Sequence, residues 1–430
     1  MRLPIVAAAL ILSVLAIRSE AQSRKLSLAD AIQSALENNA AIQLAEEQQV
    51  QSELRSQEQR SLLLPNVSGT ASYVNQTINL GARGIRFPGI PSTVGPFGTS
   101  DLRLQYAEPV LDLSMIRRYQ AARRTSAASG LDAQAVKNRV VLMLARIYFN
   151  VQRTRAMSEA VRRQIDLDNS LLKLARDRQE LGAGTLLDVT RAESRLAGDR
   201  YRLIQSENDA RTAELQLLRA MGERPNAQLE LTDPLAVAVM PVEGVEQSLA
   251  TALRNRVELK AEEQKLAAAR LGVSGAKAER LPSVQAFADY GDNGNRDTFV
   301  PTHMAGFQVQ LPLFDGGRRD AHRKTAESQL RAAEIRAKDV RDEIELDVRV
   351  SSDNLASARE QLRAAEEALK LSQDELDLSR VRFEAQVTTQ IDVVNAQAQL
   401  AEARSRQVNA LYALKSAELE YRRAVGMEIR

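Results

Sequence analysis

Cysteine and tryptophan are absent from this 430-residue chain, and aromatic residues make up only 4% of it. Without cysteine there are no disulfides, no thiolate nucleophile, no sulfur-ligated metal and no lipidated N-terminal cysteine. So few aromatic side chains argue against a conventional thick globular core. Histidine is scarce as well: His303 and His322 are the only two, and they lack metal-ligand spacing. Neither a G-x-x-x-x-G-K-[ST] phosphate loop nor a G-x-S-x-G nucleophile elbow occurs. An excess of one charge is missing too. The 58 basic and 56 acidic residues leave a formal net charge of +2, with the signs interspersed. No segment reads as a nucleic-acid patch, and the many arginines suit solvated helix faces with i,i+4 partners. These gaps predict no enzyme activity, no metal, no cofactor and no nucleic-acid partner.

Long apolar runs are also rare. The one example, Ile5 to Ile17, follows Arg2 and precedes Ser19-Glu20-Ala21, a small-x-small cleavage pattern. Residues 1–21 therefore read as a secretory signal peptide, too short in its apolar part to span a membrane. Nothing after it is apolar enough for a transmembrane helix. Integration into a membrane would require a closed β-barrel.

What the chain does have is alanine, leucine, arginine, glutamate and glutamine, the composition of long helices. Ser27-Leu28-Ala29-Asp30 is a capping box predicting a helix to about Leu63, ended by Leu64-Pro65. Next, Val67, Gly69, Ala71 and Tyr73 alternate with Ser68, Thr70 and Ser72, the period of a strand. A Gly/Pro-rich loop is expected over 81–98 and a second strand over about Leu102–Tyr106, closed by Pro109. From about Leu113 to Leu181 there is no proline. A continuous helix there would extend roughly 100 Å, with Gly130 as a candidate kink. Gly182-Ala183-Gly184-Thr185-Leu186-Leu187-Asp188-Val189 then interrupts it. Thr185 and Asp188 predict the start of a second helix running to Met221 and stopping at Gly222.

The plan recurs. Ala35-Leu36-Glu37-Asn38-Asn39 matches Ala252-Leu253-Arg254-Asn255-Arg256, and Leu64-Pro65 matches Leu281-Pro282, both at an offset of 217. Strands are expected at about Ser283–Tyr290 and Ala305–Leu311, around a loop at 291–302. Pro109-Val110-Leu111-Asp112 matches Pro312-Leu313-Phe314-Asp315 at 203, so the first hairpin is the longer. Asp188 matches Asp392, and Gly222 matches Gly426, at 204. The first repeat thus covers 22–222, with a hairpin at 66–108 and a tip at 182–188. A proline-containing linker covers 223–242, and the second repeat covers 243–430, with a hairpin at 283–312 and a tip at 386–392. No proline falls inside the proposed long helices, where each would cost about 3 kcal/mol. The last helix carries two apolar stripes, one through Val393, Ala396, Leu400, Ala403, Leu414 and Ala417, the other through Ile391, Val394, Ala398, Ala401, Val408 and Leu419. Two stripes suit a helix with neighbours on both sides.

Four strands cannot close a membrane barrel, since the smallest known have about eight. Either they form a small soluble sheet or several chains pool them. The doubled order of helix, Pro, hairpin, Pro-x-x-Asp, long helix, tip, helix and Gly resembles the TolC-like outer-membrane efflux protein family, over essentially the whole chain after residue 21. Leu64-Pro65, Leu281-Pro282, Pro312-Leu313-Phe314-Asp315-Gly316-Gly317 and the two tips carry the resemblance. It implies a mainly α fold with a small β part. Duplicated long helical hairpins would form a trimeric α-barrel, and each chain would give four strands to a shared transmembrane β-barrel in the outer membrane of a Gram-negative bacterium. Pro65, Pro109, Pro282 and Pro312 would mark the membrane junctions. The implied partners are two further copies, outer-membrane lipid, a periplasmic adaptor (membrane fusion protein) and an inner-membrane pump. The implied function is a passive exit duct for small molecules. An exit duct for type I protein secretion is the alternative, and a soluble periplasmic coiled-coil adaptor a more distant one.

The resemblance places the periplasmic aperture at the tips. Asp188, Asp392, Asn395, Thr388 and Phe383 are its candidates. Asp392 matches an aperture acid. Asn395 stands where a second acid often occurs, Thr388 where a basic locking residue can occur, and Phe383 where a tyrosine can. Each aspartate also reads as a helix cap, and the roles are compatible. Gly182, Ala183, Gly184, Thr185, Leu186 and Leu187 of the first tip, and Gln386, Val387 and Thr389 of the second, are candidates for adaptor contact.

Overall fold

The computed structural model describes residues 24–85, 88–225, 229–235, 244–295, 298–385 and 387–429. The expected signal peptide and Gln386 lie outside the described residues. The chain is mainly helical with a small β part and divides into two units.

The first unit comprises the chain up to Leu44, Gln134–Arg256 and Glu343–Arg430. It holds β1 (Arg24–Leu26), α1 (Leu28–Asn38), α4 (Leu186–Met221), β4 (Leu229–Leu231), α5 (Val245–Asn255) and α8 (Gln390–Val425). It also holds the C-terminal parts of α3 (Leu113–Glu180) and α7 (Arg318–Glu384). β1 and β4 pair in parallel, Leu26 opposite Leu231. The segment read as a linker thus contains a strand. Its three residues gain order from the partner strand, since three residues carry too little local pattern of their own.

Tyr148 anchors this end of the unit. It is fully buried among Leu26, Leu144, Leu217 and Met221, and its hydroxyl donates to the Leu26 carbonyl at 3.0 Å. Burial, the largest influence, pushes its phenol up to about 12. In α8 the stripe Val393, Ala396, Leu400, Ala403, Leu414 and Ala417 is buried throughout. The neighbouring stripe is not: Ile391 and Ala398 are exposed, and Val394, Ala401 and Val408 are half-buried. One chain covers one face throughout and the other only at Leu419.

The helix expected to run to Leu63 is broken at Asn39, which is extended between α1 and α2 (Ala40–Ser61). The Asn39 side-chain amide donates to the Ala220 carbonyl at 2.8 Å, and its oxygen accepts from the Ala41 N–H at 2.9 Å. The break therefore caps the start of α2 and the end of α4 together. Arg256 repeats the device between α5 and α6 (Val257–Ala278), reaching the Ala424 carbonyl at 3.5 Å and Asp347 at 3.1 Å. Gly222 and Gly426 end α4 and α8 with φ of 79° and 77°. A Cβ on Gly222 would run into the Asn38 carbonyl, 2.6 Å from its carbon, so this cap needs glycine twice over.

The second unit comprises Ala45–Ala133 and Val257–Asp342. Its sheet, in the order β2-β3-β5-β6, is antiparallel throughout: β2 (Asn66–Asn79), β3 (Thr93–Leu111), β5 (Ser283–Asn295) and β6 (Thr298–Gln310). The strands are longer than expected. β3 starts inside the loop read at 81–98, and most of the segment read as loop at 291–302 is strand. Pro109, taken as the end of a strand, lies within β3 opposite Gln285, and the register shifts between it and Leu111. Lacking an N–H, proline is accommodated there by the bulge. Pro65 and Pro282 immediately precede β2 and β5, and Pro312 follows β6 by two residues. Gly130 does not break α3, which is helical through it.

Pairing divides the sheet into two faces. Val67, Tyr73, Leu102, Leu104, Tyr290, Phe307 and Val309 share one, all exposed. Ser68, Thr70, Asp101, Arg103, Gln105, Asp289 and Thr302 share the other. Exposed apolar area on this scale, on a sheet with two open edges at β2 and β6, is costly in water.

Candidate functional site

Each tip is built by local chemistry that the sequence carries. α3 closes as Gly182 turns to φ 72°, its N–H reaching the Gln179 carbonyl at 3.0 Å and that of Ala183 reaching Arg178 at 2.8 Å. Gly184 lies against the last turn; a Cβ on it would come within 3.1 Å of Arg178 Cβ and of the Gln179 nitrogen. Thr185 then starts α4. Asp188 N–H donates to Thr185 Oγ1 at 3.3 Å, and Asp188 Oδ2 accepts from the Thr185 N–H at 3.1 Å.

The second tip repeats the box on α8. Asp392 Oδ2 accepts from the Thr389 N–H at 3.0 Å, from Thr389 Oγ1 at 2.9 Å, and from the Thr388 hydroxyl. The Thr388 bond first, then those of Thr389, hold the Asp392 carboxyl below the usual carboxylate range. Asp188 and Asp392 are thus helix caps, and the Thr388 bond gives the Asp392 carboxylate one more donor than that of Asp188 has. Asn395, one turn further along α8, is exposed.

Apolar side chains crown both tips. Leu181, Leu186 and Leu187 on the first, and Val387 and Ile391 on the second, are all at least half exposed. Among the described residues no packing explains five such side chains at two loop ends, where polar residues would cost nothing.

The tips are fastened to each other by a residue that sequence reasoning missed. Arg178, near the end of α3, stacks its guanidinium 3.9 Å from the centre of the Phe383 ring. The same group donates to the Phe383 carbonyl at 3.1 Å. Phe383 itself is buried with Leu171, Leu376, Val393, Ala396 and Leu400. Phe383, standing where a tyrosine can occur, thus carries a basic side chain of the first repeat, while Thr388, standing where a basic residue can occur, bonds Asp392. An arginine in the last turn of a long helix ahead of a glycine was the available signal, and it is too common to read alone.

A second polar arrangement lies on the sheet. Arg103 reaches Asp101 at 3.2 Å, Thr302 at 3.0 Å and Asp289, all on the polar face, and Asn293 adds a bond to Asp101 at 3.2 Å. His303 lies on the apolar face opposite Tyr290, while His322 Nδ1 is 3.0 Å from a Glu279 oxygen. Among the described residues no group of three or more metal-ligating side chains comes together, and no helix is long and apolar enough to cross a membrane.

The family model described as "Outer membrane efflux protein" matches residues 31–223 and 249–427. The chain is 27% identical over 214 residues to the fusaric acid resistance protein FusA of Burkholderia cepacia, covering 48% of this chain and 40% of that one. It is 23% identical over 376 residues to the outer membrane protein TolC of Vibrio cholerae, covering 85% of this chain and 83% of that one. The match to FusA thus spans under half of that relative's length. Among solved structures, the outer membrane protein VceC of Vibrio cholerae superposes with a TM-score of 0.81 at 18% identity, covering 94% of this chain and 97% of that one.

Proposed function

Because the chain belongs to the outer membrane efflux protein family, we propose that it is the outer-membrane channel of a tripartite efflux system, a passive exit duct for small molecules. One observation carries this reading: a four-stranded sheet with seven large exposed apolar and aromatic side chains on one face and the Arg103 polar network, interspersed with Val74, Val300 and Met304, on the other, left open at both edges. Its strands, 13 to 19 residues long, exceed the roughly 9–11 needed to cross a bilayer obliquely. Four strands cannot close, and unpaired edges are not tolerated in lipid. Three copies would supply twelve strands and remove every edge. The apolar face would then meet lipid, and the Arg103–Asp101–Asp289 network would line a wet lumen. The half-covered second stripe of α8 supports the same assembly, since a neighbouring subunit would complete its burial.

The duct performs no chemistry. Cargo moves down the lumen, and energy enters from an inner-membrane pump. Asp188, Asp392 and Asn395 line the periplasmic mouth, where threefold repetition makes rings of carboxylates that favour cations. The Arg178–Phe383 clasp holds the two tip hairpins of one subunit together and so sets the resting aperture. The exposed leucines and valine of the tips, with Gly182, Ala183 and Gly184, form the seat for a periplasmic adaptor. Similarity to FusA, a fusaric acid resistance protein, favours small organic cargo over a secreted protein.

The test is direct. The full chain, purified from outer membranes, is expected to run as a trimer in native mass spectrometry and to give single-channel conductance in a planar bilayer. A soluble monomer without conductance would overturn the proposal.

A further inference from the structure

Asp168 on α3 and Asp199 on α4 are buried acids, 1% and 4% exposed, about four turns away from the tip that joins their helices. Their carboxyl groups lie within hydrogen-bonding reach of each other. Asp168 Oδ1 accepts from Gln164 Nε2 at 2.9 Å and from Arg195 Nε at 3.2 Å. Asp168 Oδ2 is buried and has no donor, and neither does Gln164 Oε1. Asp199 Oδ1 accepts from Arg202 Nη1 at 2.9 Å. Two carboxylates within reach of each other have nothing to share unless one carboxyl keeps its proton.

Arg195 connects this pair to a third helix. While its Nε faces Asp168, its Nη1 donates to the Val394 carbonyl of α8 at 2.9 Å. A cavity of about 630 Å³ adjoins the pair, lined among others by Gln164, Arg195, Asp199 and Arg202, and by Glu402 and Arg404 of α8. It gives a proton a route in and out. Arg163 of α3 lies near Arg404. α7 contributes Leu369 and Leu376 to the adjoining apolar layer with Leu167 and Leu171. Burial is the largest influence on Asp168, followed by the contact with Asp199. They push its carboxyl up to about 7 against the opposing charge of Arg195. In the second repeat, 204 residues further on, Ser372 and Ala403 occupy the two positions, so only one of the two hairpins has the pair.

We propose that Asp168 and Asp199 form one proton-binding site that couples the α3/α4 hairpin to α8, so that helix packing above the tip loosens when the shared proton leaves. With the proton present, the carboxyls bond to each other and Arg195 is free to clasp α8. Without it, two negative charges sit together in a buried site. They draw Arg195 fully onto themselves and off the Val394 carbonyl. The folded chain binds this proton more tightly than an unfolded aspartate, which titrates near 3.8. The stabilisation is therefore complete in acid and is lost as pH rises from about 3.8 to about 7. This site goes beyond the duct reading and rests only on packing within one chain.

Hydrogen–deuterium exchange of the purified full-length protein tests it, with rates measured at about pH 5.5 and pH 8.5 and corrected for intrinsic base catalysis. Amides near Asp168, Asp199 and Val394 are expected to exchange at least about fivefold faster at the higher pH. Asp168→Asn keeps the shape and donates to Asp199 without titrating, and it is expected to abolish the difference. Asp199→Asn is expected to do the same from the other side. Equal rates at the two pH values in the unaltered protein, or a difference that persists in either variant, would overturn the site. Bilayer conductance reports on the duct instead, so the two readings fail separately.

Discussion

Removing Arg178 should free one tip hairpin from the other. The side chain makes two contacts across them, a ring contact at 3.9 Å and a carbonyl bond at 3.1 Å. A cation–π contact is worth about 0.5–1 kcal/mol at an open site, and a charge-assisted hydrogen bond about 1.5 kcal/mol or more. Arg178 is half-buried, so solvent screening reduces the total, and we take about 1–2 kcal/mol for the pair. That corresponds to about a 5- to 30-fold shift between joined and separated tips. Single-channel recording of Arg178→Ala should show an open fraction raised by this factor, with faster amide exchange confined to the tips. Arg178→Lys keeps the charge but loses the flat ring contact, and it should fall between the two. Phe383→Leu keeps the apolar volume, and combined with Arg178→Ala it should show a coupling of about 1 kcal/mol. Unchanged gating and unchanged tip exchange in Arg178→Ala would refute the clasp as a lock.

Other outcomes follow from the same geometry. Leu104→Arg puts a charge on the apolar face of the sheet and should cost about 2–4 kcal/mol near mid-bilayer, whereas Gln105→Arg on the polar face should be tolerated. Yield of intact trimer from outer membranes separates them, and equal yields would contradict the assignment of faces. Gly222→Ala combines a positive φ with a clash against Asn38 and should destabilise by about 1–3 kcal/mol, more than Gly426→Ala, as read by thermal unfolding. Asp392→Ala should lower cation preference in reversal-potential measurements; an unaltered preference would leave Asp392 a cap alone. Its carboxyl is held below the usual range, so the cap should be intact above about pH 3.8 and fray as pH falls further. Exchange in the first turn of α8 would report this.

How much was legible depended on the range of the interaction. Both tips could be read because a capping box spans three residues, and Thr185 with Asp188 or Thr389 with Asp392 carries its whole mechanism in sequence. The faces of the sheet were legible for a similar reason, since alternation fixes which side chains share a side. The break at Asn39 was not legible, because it answers a carbonyl 181 residues away. Nor was β4, three residues between prolines that become a strand only beside β1. Arg178 looked like any arginine at a helix end until Phe383, 205 residues on, came beneath it. Nothing in the local pattern of α3 or α4 marks Asp168 and Asp199 as buried; their burial follows from how the helices pack.

Composition and periodicity alone determined that the chain builds long helices in two repeats, turns them at capped tips and makes strands with one apolar face. Those features follow from backbone and side-chain preferences acting over a few residues, and duplication repeats them at fixed offsets. The tertiary structure alone decided which arginine meets which ring, which acids lose their water and where the long helices break. Those outcomes depend on groups of different helices being brought within 4 Å, up to 205 residues apart for Arg178 and Phe383, and no local pattern encodes a contact of that kind.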